Sequence, residues 1–359
     1  MNTILMMDLD FRLICELSQY VSLTIRRSFF GLGSFQLTLE RGMPGSDKLE
    51  ADRLLYMPER PHVMLLVEKV VMTGKTVSVS GVQLKGLCKR RICVPPLLAA
   101  EDEYRSFGWD SFTGDAESAY LHFIENNMTA PEDEKRKMKR VVTGENLHRG
   151  IHLPCRARFD KLQDVLEDIG AASGLGWDIR PDFESRQFVF TVVEGVDRTI
   201  GNRRATLSFD IGNVEGSTMT ADRSVMKNTI YAGGSGEDEN RLILCVGDGK
   251  EDHERFESWT DVNGAEDVSV LKMGAERQLE SEKRTLWAAV TDSGLCRYGR
   301  DYDVGDILRV KADGYVMDAR LIEMEEVLEG GTRTLKATFG DAPVTLTAIL
   351  KKREKGAAK

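Results

Sequence analysis

The chain has 359 residues, a formal net charge of -9, and 41% hydrophobic against 30% charged residues. That length exceeds one ordinary domain, so two or three are expected, and the composition is too apolar for a disordered chain. An isoelectric point near 5.3 argues against a general nucleic-acid binder, whose footprint is basic.

Asp8, Asp10 and Arg12 interrupt the N-terminal stretch. They leave neither a signal-peptide core nor the apolar run of about 18 residues that a transmembrane helix needs. The six cysteines (Cys15, Cys88, Cys93, Cys155, Cys245, Cys296) contain no C-x-x-C pair. They are expected to be reduced and mostly packed, in a protein made in a cytoplasm.

The first hundred residues read as strands. Leu23 to Ile25 and Phe35 to Leu39 flank Gly31 and Gly33, which predicts a hairpin with Phe35, Leu37 and Leu39 on one face. Val63 to Met72 is a nearly unbroken apolar run, expected to be a strand buried on both faces. A turn at Met72 to Lys75 leads to alternating Val77 and Val79. This order suits a small antiparallel barrel or sandwich.

Beyond Pro95-Pro96 the pattern changes. Ala116, Ala119, Tyr120, Phe123, Ile124 and Asn127 predict an amphipathic helix over 115–128, and Pro131 to Arg140 a charged loop. Phe159, Leu162, Val165, Leu166 and Ile169 predict a second helix, with Asp160 in its first turn and Gly174 as its C-terminal cap. Trp177 to Ile179 and Phe188 to Val193 read as a hairpin against these helices.

Strands return with the alternation of Thr206 to Ile211. Asn228 to Ala232 and Arg241 to Val246 flank a Gly- and acid-rich loop. A helix is expected from Asp267 to about Arg284, with Leu271, Ala275 and Leu279 on one face and Glu280 paired to Arg284. Ile307 to Val310, Tyr315 to Glu325 and Arg333 to Phe339 complete the strands, the last presenting Leu335, Ala337 and Phe339 to one side. The expected class is β-rich α+β: two small antiparallel β-barrel-like domains (1–100 and 206–345) flanking an α+β domain (101–205), then a basic tail (346–359).

Chemistry-bearing constellations are few. His148 and His152 stand four apart near Glu145, but Gly150 and Pro154 spoil the helix that zinc binding would need. Neither Gly31-Leu32-Gly33 nor Gly233-Gly234-Ser235-Gly236 continues into a phosphate-binding G-K-[ST]. Asp248 to Asp252 lacks the bidentate glutamate of a calcium loop. No catalytic, cofactor-binding or metal site is therefore assigned. Lys85, Lys89, Arg90 and Arg91 are expected at the end of a short helix whose apolar side is Val82, Leu84 and Leu87. They form either a solvated helix end or a subunit contact with an acidic neighbour.

Three passages, in this order, resemble the tail-hub proteins of siphophages and their prophage relatives, a family similar to the central hub of the T-even baseplate. The first is Ile25-Arg26-Arg27-Ser28-Phe29-Phe30-Gly31-Leu32-Gly33-Ser34-Phe35-Gln36-Leu37. The second is Val79 to Arg91, a strand followed by a G-x-x-L-x-x-L-x-x-R-R pattern. The third is Tyr302-Asp303-Val304-Gly305-Asp306 before a strand, followed by Ile322 to Val327 and Gly331 to Gly340.

The resemblance implies a non-enzymatic hub that forms a trimeric ring. Its implied partners are a distal tail or tail-tube protein, a tape-measure protein and a spike or fibre protein. It implies a place in the virion tail, assembly in the host bacterial cytoplasm and no membrane insertion. DNA would pass the lumen without specific binding. Two alternatives are a tail-associated cell-wall hydrolase or peptidase, and a host-adhesion or carbohydrate-binding module using Trp109, Trp177 or Trp259.

Overall fold

The computed structural model describes residues 3–99, 105–106, 108–199, 204–262, 265, 267–276, 278–292, 296–312 and 314–340. The basic tail expected at 346–359 lies outside them. The chain divides into two compact units: Met1–Ser217 with Trp287–Phe339, and Thr218–Leu286 with Gly340–Lys359.

The first unit opens with β1 (Ile4–Met7), β2 (Leu13–Leu17), β3 (Ser22–Ser28), β4 (Ser34–Glu40), β5 (Leu54–Tyr56), β6 (Met64–Met72) and β7 (Thr76–Gln83). Their spatial order is β3-β4-β7-β6-β5-β1-β2, all antiparallel. Period-two alternation puts Leu23, Ile25, Phe35, Leu37, Leu39, Val77 and Val79 into one core. Each such side chain contributes roughly 1.5–3 kcal/mol when fully buried. The β3–β4 hairpin forms as the glycines predict, with Gly33 at φ 69°. The apolar run of β6 is buried on both faces only from Met64 to Val67. A register shift between Val67 and Lys69 then bends the strand outward, leaving Val71 and Met72 exposed.

A short ladder of β8 (Leu97–Ala99) and β9 (Arg105–Ser106) precedes β10 (Asp110–Asp115), α1 (Ala116–Ile124), β11 (Val141–Thr143), β12 (His152–Ala157), α2 (Leu162–Ser173), β13 (Gly176–Asp182) and β14 (Gln187–Val193). Asp115 caps α1 by accepting from Ser118 N at 2.8 Å. After Ile124 the helix widens into a π turn over Glu125–Thr129, which buries Asn127 and lets its side chain donate to Phe123 O at 2.9 Å. Gly174 ends α2 at φ 73°. Leu162, Leu166 and Ile169 pack in one core with Trp177 and Phe190 of the β13–β14 hairpin. Phe159 is not part of that stripe. It sits before the helix at φ 58° and is half exposed. The backbone there is committed elsewhere: Phe159 N donates to Cys93 O and Cys93 N to Asp160 O.

β15 (Thr206–Ser208) and β16 (Val214–Asp222) follow. The alternation to Ile211 suggested a longer strand, but Phe209 and Ile211 are exposed in a turn. Asn213 cuts the strand short by accepting from Ser208 N (2.7 Å) and donating to Thr206 O (2.9 Å).

The second unit holds β17 (Thr229–Gly233), β18 (Ile243–Gly247), β19 (Glu257–Asp261) and α3 (Val268–Glu276), its sheet ordered β18-β17-β19. Ile230 and Ala232 pack with Leu271 and Ala275 of α3. The helix expected to reach Arg284 stops at Glu276 because Glu280 exchanges two backbone hydrogen bonds with Lys227, each 2.8 Å. Leu279 is exposed, and Arg284 pairs with Glu282 rather than Glu280.

β20 (Lys283–Val290) leads to β21 (Ile307–Ala312), β22 (Tyr315–Glu329) and β23 (Thr332–Gly340). β21 pairs with β15 in parallel and with β22 antiparallel. β22 pairs with β3, from Ser22 opposite Glu329 to Ser28 opposite Glu323, so the two ends of the sequence share one sheet. Leu335, Ala337 and Phe339 face inward as expected. The β-rich α+β class holds.

None of the six cysteines forms a disulfide, and burial pushes Cys93 up to about 12 and Cys296 up to about 11. In the unfolded chain thiols titrate near 8.5. Between about pH 9 and pH 11 the unfolded state therefore loses protons that the folded state keeps, and stability falls as pH rises. Urea midpoints measured under reducing conditions should drop across that window, less steeply in Cys93→Ala. A flat profile would contradict the burial of these thiols.

Candidate functional site

Arg27 and Ser28 close the ladder of β3 with β22, and Phe29 and Phe30 continue beyond it. Each then meets a residue remote in sequence. Arg27 Nη1 donates to Tyr298 Oη at 3.0 Å and forms an ion pair with Asp303. Ser28 O accepts from Lys85 Nζ at 2.8 Å. Phe29 N donates to Ile322 O at 2.9 Å, and Phe30 O accepts from Trp177 Nε1 at 2.8 Å. The three passages singled out in the sequence therefore converge on one junction.

The Tyr302–Asp306 turn is built around this contact. Gly305 has φ +103°, and a Cβ there would stand 2.4 Å from the Phe29 ring. Only glycine satisfies both demands. Asp306 accepts from Val196 N (2.8 Å), Arg198 Nε (3.0 Å) and Asp303 N (3.1 Å). Arg320 donates to Gly305 O at 2.6 Å, with its guanidinium 5.1 Å from the Phe29 ring centroid.

Beside the turn lies a second ion cluster. Glu326 is 1% exposed and is held by Arg60 through both terminal nitrogens and by Arg333 Nε at 2.6 Å. Burial works against its charge, yet the two arginines keep the carboxyl below the usual glutamate range. Arg333 also pairs with Asp292, which accepts from Tyr298 N at 2.9 Å. Arg60 and Arg333 each lie 6.0 Å from the Tyr298 ring centroid. Tyr298 thus touches both clusters.

The basic quartet splits. The 3-10 helix Leu84–Arg90 turns Lys85 inward, so it does not join an exposed patch. Its ammonium, 1% exposed, donates to Ser28 O and Trp177 O and stands 5.0 Å from the Trp177 ring centroid. Burial lowers it to about 8. Lys89 pairs with Glu68 and Arg90 with Asp52. Arg91 donates to the carbonyls of Arg136 and Arg90.

His148 and His152 are not brought into a ligand set. His148 lies at φ 56° with Nδ1 3.2 Å from Asp115 Oδ2, and His152 is an exposed strand residue. Among the described residues no group of three His, Cys, Asp or Glu could hold a metal ion. Asp248 Oδ1 accepts from Lys250 N in a local turn. Trp177 is buried, while Trp109 and Trp259 are half exposed. Glu326, Arg60 and Asp292 escaped the sequence reading. One signal was available: Glu326 falls on the inward phase of β22 between Met324 and Leu328, where an acid demands partners. Every charge of the junction faces an opposite charge or a backbone acceptor, an arrangement that fixes geometry.

The model of the family described as Siphovirus ReqiPepy6 Gp37-like protein matches residues 3–341. No curated protein sequence matches the chain. Its fold is similar to that of the prophage tail protein gp18 from Listeria monocytogenes EGD-e, at TM-score 0.55 and 11% identity, over 100% of both chains. It is also similar to the tail protein from Neisseria meningitidis MC58, at TM-score 0.59 and 15% identity, over 95% of this chain and 97% of that one. The 43 kDa tail protein of prophage MuSo2 from Shewanella oneidensis matches at TM-score 0.58 and 10% identity, over 94% and 97%. At these identities the likeness is one of fold.

Two substitutions test the junction. Gly305→Ala should destabilise well beyond Gly299→Ala, which shares the positive φ but meets nothing within 4 Å. The control carries only the left-handed cost of about 1–2 kcal/mol. Glu326→Gln should lower unfolding free energy by about 3 kcal/mol, because it leaves Arg60 without its counter-charge and Arg333 with Asp292 alone. Urea titration measures both, and equal losses for the two glycine variants would refute the contact with Phe29.

Proposed function

The chain belongs to the Siphovirus ReqiPepy6 Gp37-like protein family, and from that premise we propose that it is the structural hub of a phage tail tip or baseplate. The observation that carries the reading is the family match over residues 3–341. The whole-chain fold likeness to the Listeria and Neisseria tail proteins supports it. So does the convergence of Arg27, Lys85 and the Tyr302–Asp306 turn on one internal junction.

In this reading the chain is non-enzymatic and forms a homotrimeric ring in the virion tail, assembled in the host bacterial cytoplasm. Above the ring sits a distal tail or tail-tube protein, with the tape-measure protein ending there. Below it hangs a spike or fibre protein. The net charge of -9 suits a lumen that DNA passes without binding. No described helix is long and apolar enough to cross a membrane. Of the basic quartet, Lys89 and Arg90 keep partly exposed side chains that can reach an acidic neighbouring subunit. Lys85 contributes from inside, by holding Ser28 and Trp177 in place.

Light scattering behind a sizing column tests the ring. A particle of three times 40.2 kDa with a central hole in negative stain is expected. A strictly monomeric chain at high concentration, or a lysis band on cell-wall zymograms, would count against a structural hub.

A further inference from the structure

The second unit presents the outer face of its three-stranded sheet to solvent. In the register of that sheet, Tyr231 lies opposite Cys245 on one side and Trp259 on the other, so the three side chains form a row across neighbouring strands. Tyr231 is 37% exposed and Trp259 48%. The opposite face, with Ile230 and Ala232, is spent on α3. The aromatic row is therefore not needed for the core of this unit.

The rings are held in place from below and at their polar ends. Gly233 leaves the space that the indole occupies: a Cβ there would stand 2.6 Å from the Trp259 ring. Trp259 Nε1 donates to Asp261 Oδ2 at 3.3 Å, and Asp261 also pairs with Arg241. Arg241 stands over the indole, 5.4 Å from its centroid. Arg255 donates to the Tyr231 hydroxyl at 3.2 Å while paired with Glu257. The two aromatic residues stand on neighbouring strands, about 4.8 Å apart at the backbone, and each is flanked by an arginine–carboxylate pair.

We infer that this face binds an extended, β-1,4-linked pyranose chain. The axial C–H bonds of such a sugar form an apolar plane that lies on the negative face of an aromatic ring. Its equatorial hydroxyls point sideways, where guanidinium donors and carboxylate acceptors complement them. A flat sheet face suits a ribbon-like chain, whereas a buried small-molecule site would need a deep cavity. Nucleic acid is disfavoured, because both arginines are already neutralised by Asp261 and Glu257. The inference does not depend on the hub reading, since all of these residues lie within the second unit.

Calorimetric titration of the full-length chain with chitohexaose and with cellohexaose tests it. Saturable binding of at least one is expected, weakened about tenfold or more by Trp259→Ala, a loss of ~1.4 kcal/mol. Tyr231→Ser should weaken it similarly, and Trp109→Ala should not. Unchanged melting and an unchanged mass by light scattering would show that fold and assembly survive in the Trp259 and Tyr231 variants. No saturable heat with either sugar overturns the inference, as does binding that both variants retain. Trp259→Ala that instead abolishes self-association would assign the face to a subunit contact and also overturn it. Loss of sugar binding with a normal particle mass would leave the hub reading untouched.

Discussion

A carboxylate with almost no access to water must find its counter-charges inside the protein, and Glu326 meets that requirement with Arg60 and Arg333. Glu326 lies near the end of β22, Arg60 in the β5–β6 connection and Arg333 at the start of β23. Arg333 passes the constraint on to Asp292, and Tyr298 passes it to Arg27 and Asp303. A shift of β22 by a single residue would carry Glu326, together with the apolar residues of its face, to the opposite side of the sheet. A shift by two would keep that face but move Glu326 by about 7 Å, away from Arg60. The junction thus fixes how the first and last ladders of the unit meet.

The same logic explains the Tyr302–Asp306 turn. Gly305 admits the Phe29 ring, and Asp306 gathers three donors from two segments. Lys85 adds a cation in a site of carbonyls and an indole. Ammonium burial there is unfavourable, as its lowered titration point reflects, but the ammonium donates to two carbonyls, Ser28 O and Trp177 O. A protein whose proposed work is to join a tube to a spike gains from such over-determined contacts.

Much of the fold was legible in the sequence. Period-two alternation located β3, β4, β7 and β23, and the apolar stripe with Gly174 located α2. The misses share a cause: backbone groups taken by partners outside the expected element. Lys227 ends α3 early and Cys93 holds Phe159 out of α2, and neither pairing leaves a local signature. Asn213 ends β15 early from five residues away, behind the turn at Gly212. The resemblance passages pointed to the right residues of the junction, yet nothing in them said that Arg27, Lys85 and Gly305 would meet. Lys85 shows the limit most clearly. Beside Lys89 and Arg90 it reads as one more surface cation, and only the three-dimensional placement of Ser28 and Trp177 reveals it as interior.

Native-state hydrogen exchange on the isolated chain tests the central claim most directly. The amides of Phe29, Gly305 and Leu321, which donate across the junction, should open only with the cooperative unfolding of the first unit, at one shared free energy. Exchange of Gly305 and Leu321 at loop-like rates, while the β3–β4 amides stay protected, would show that the junction does not hold the unit together.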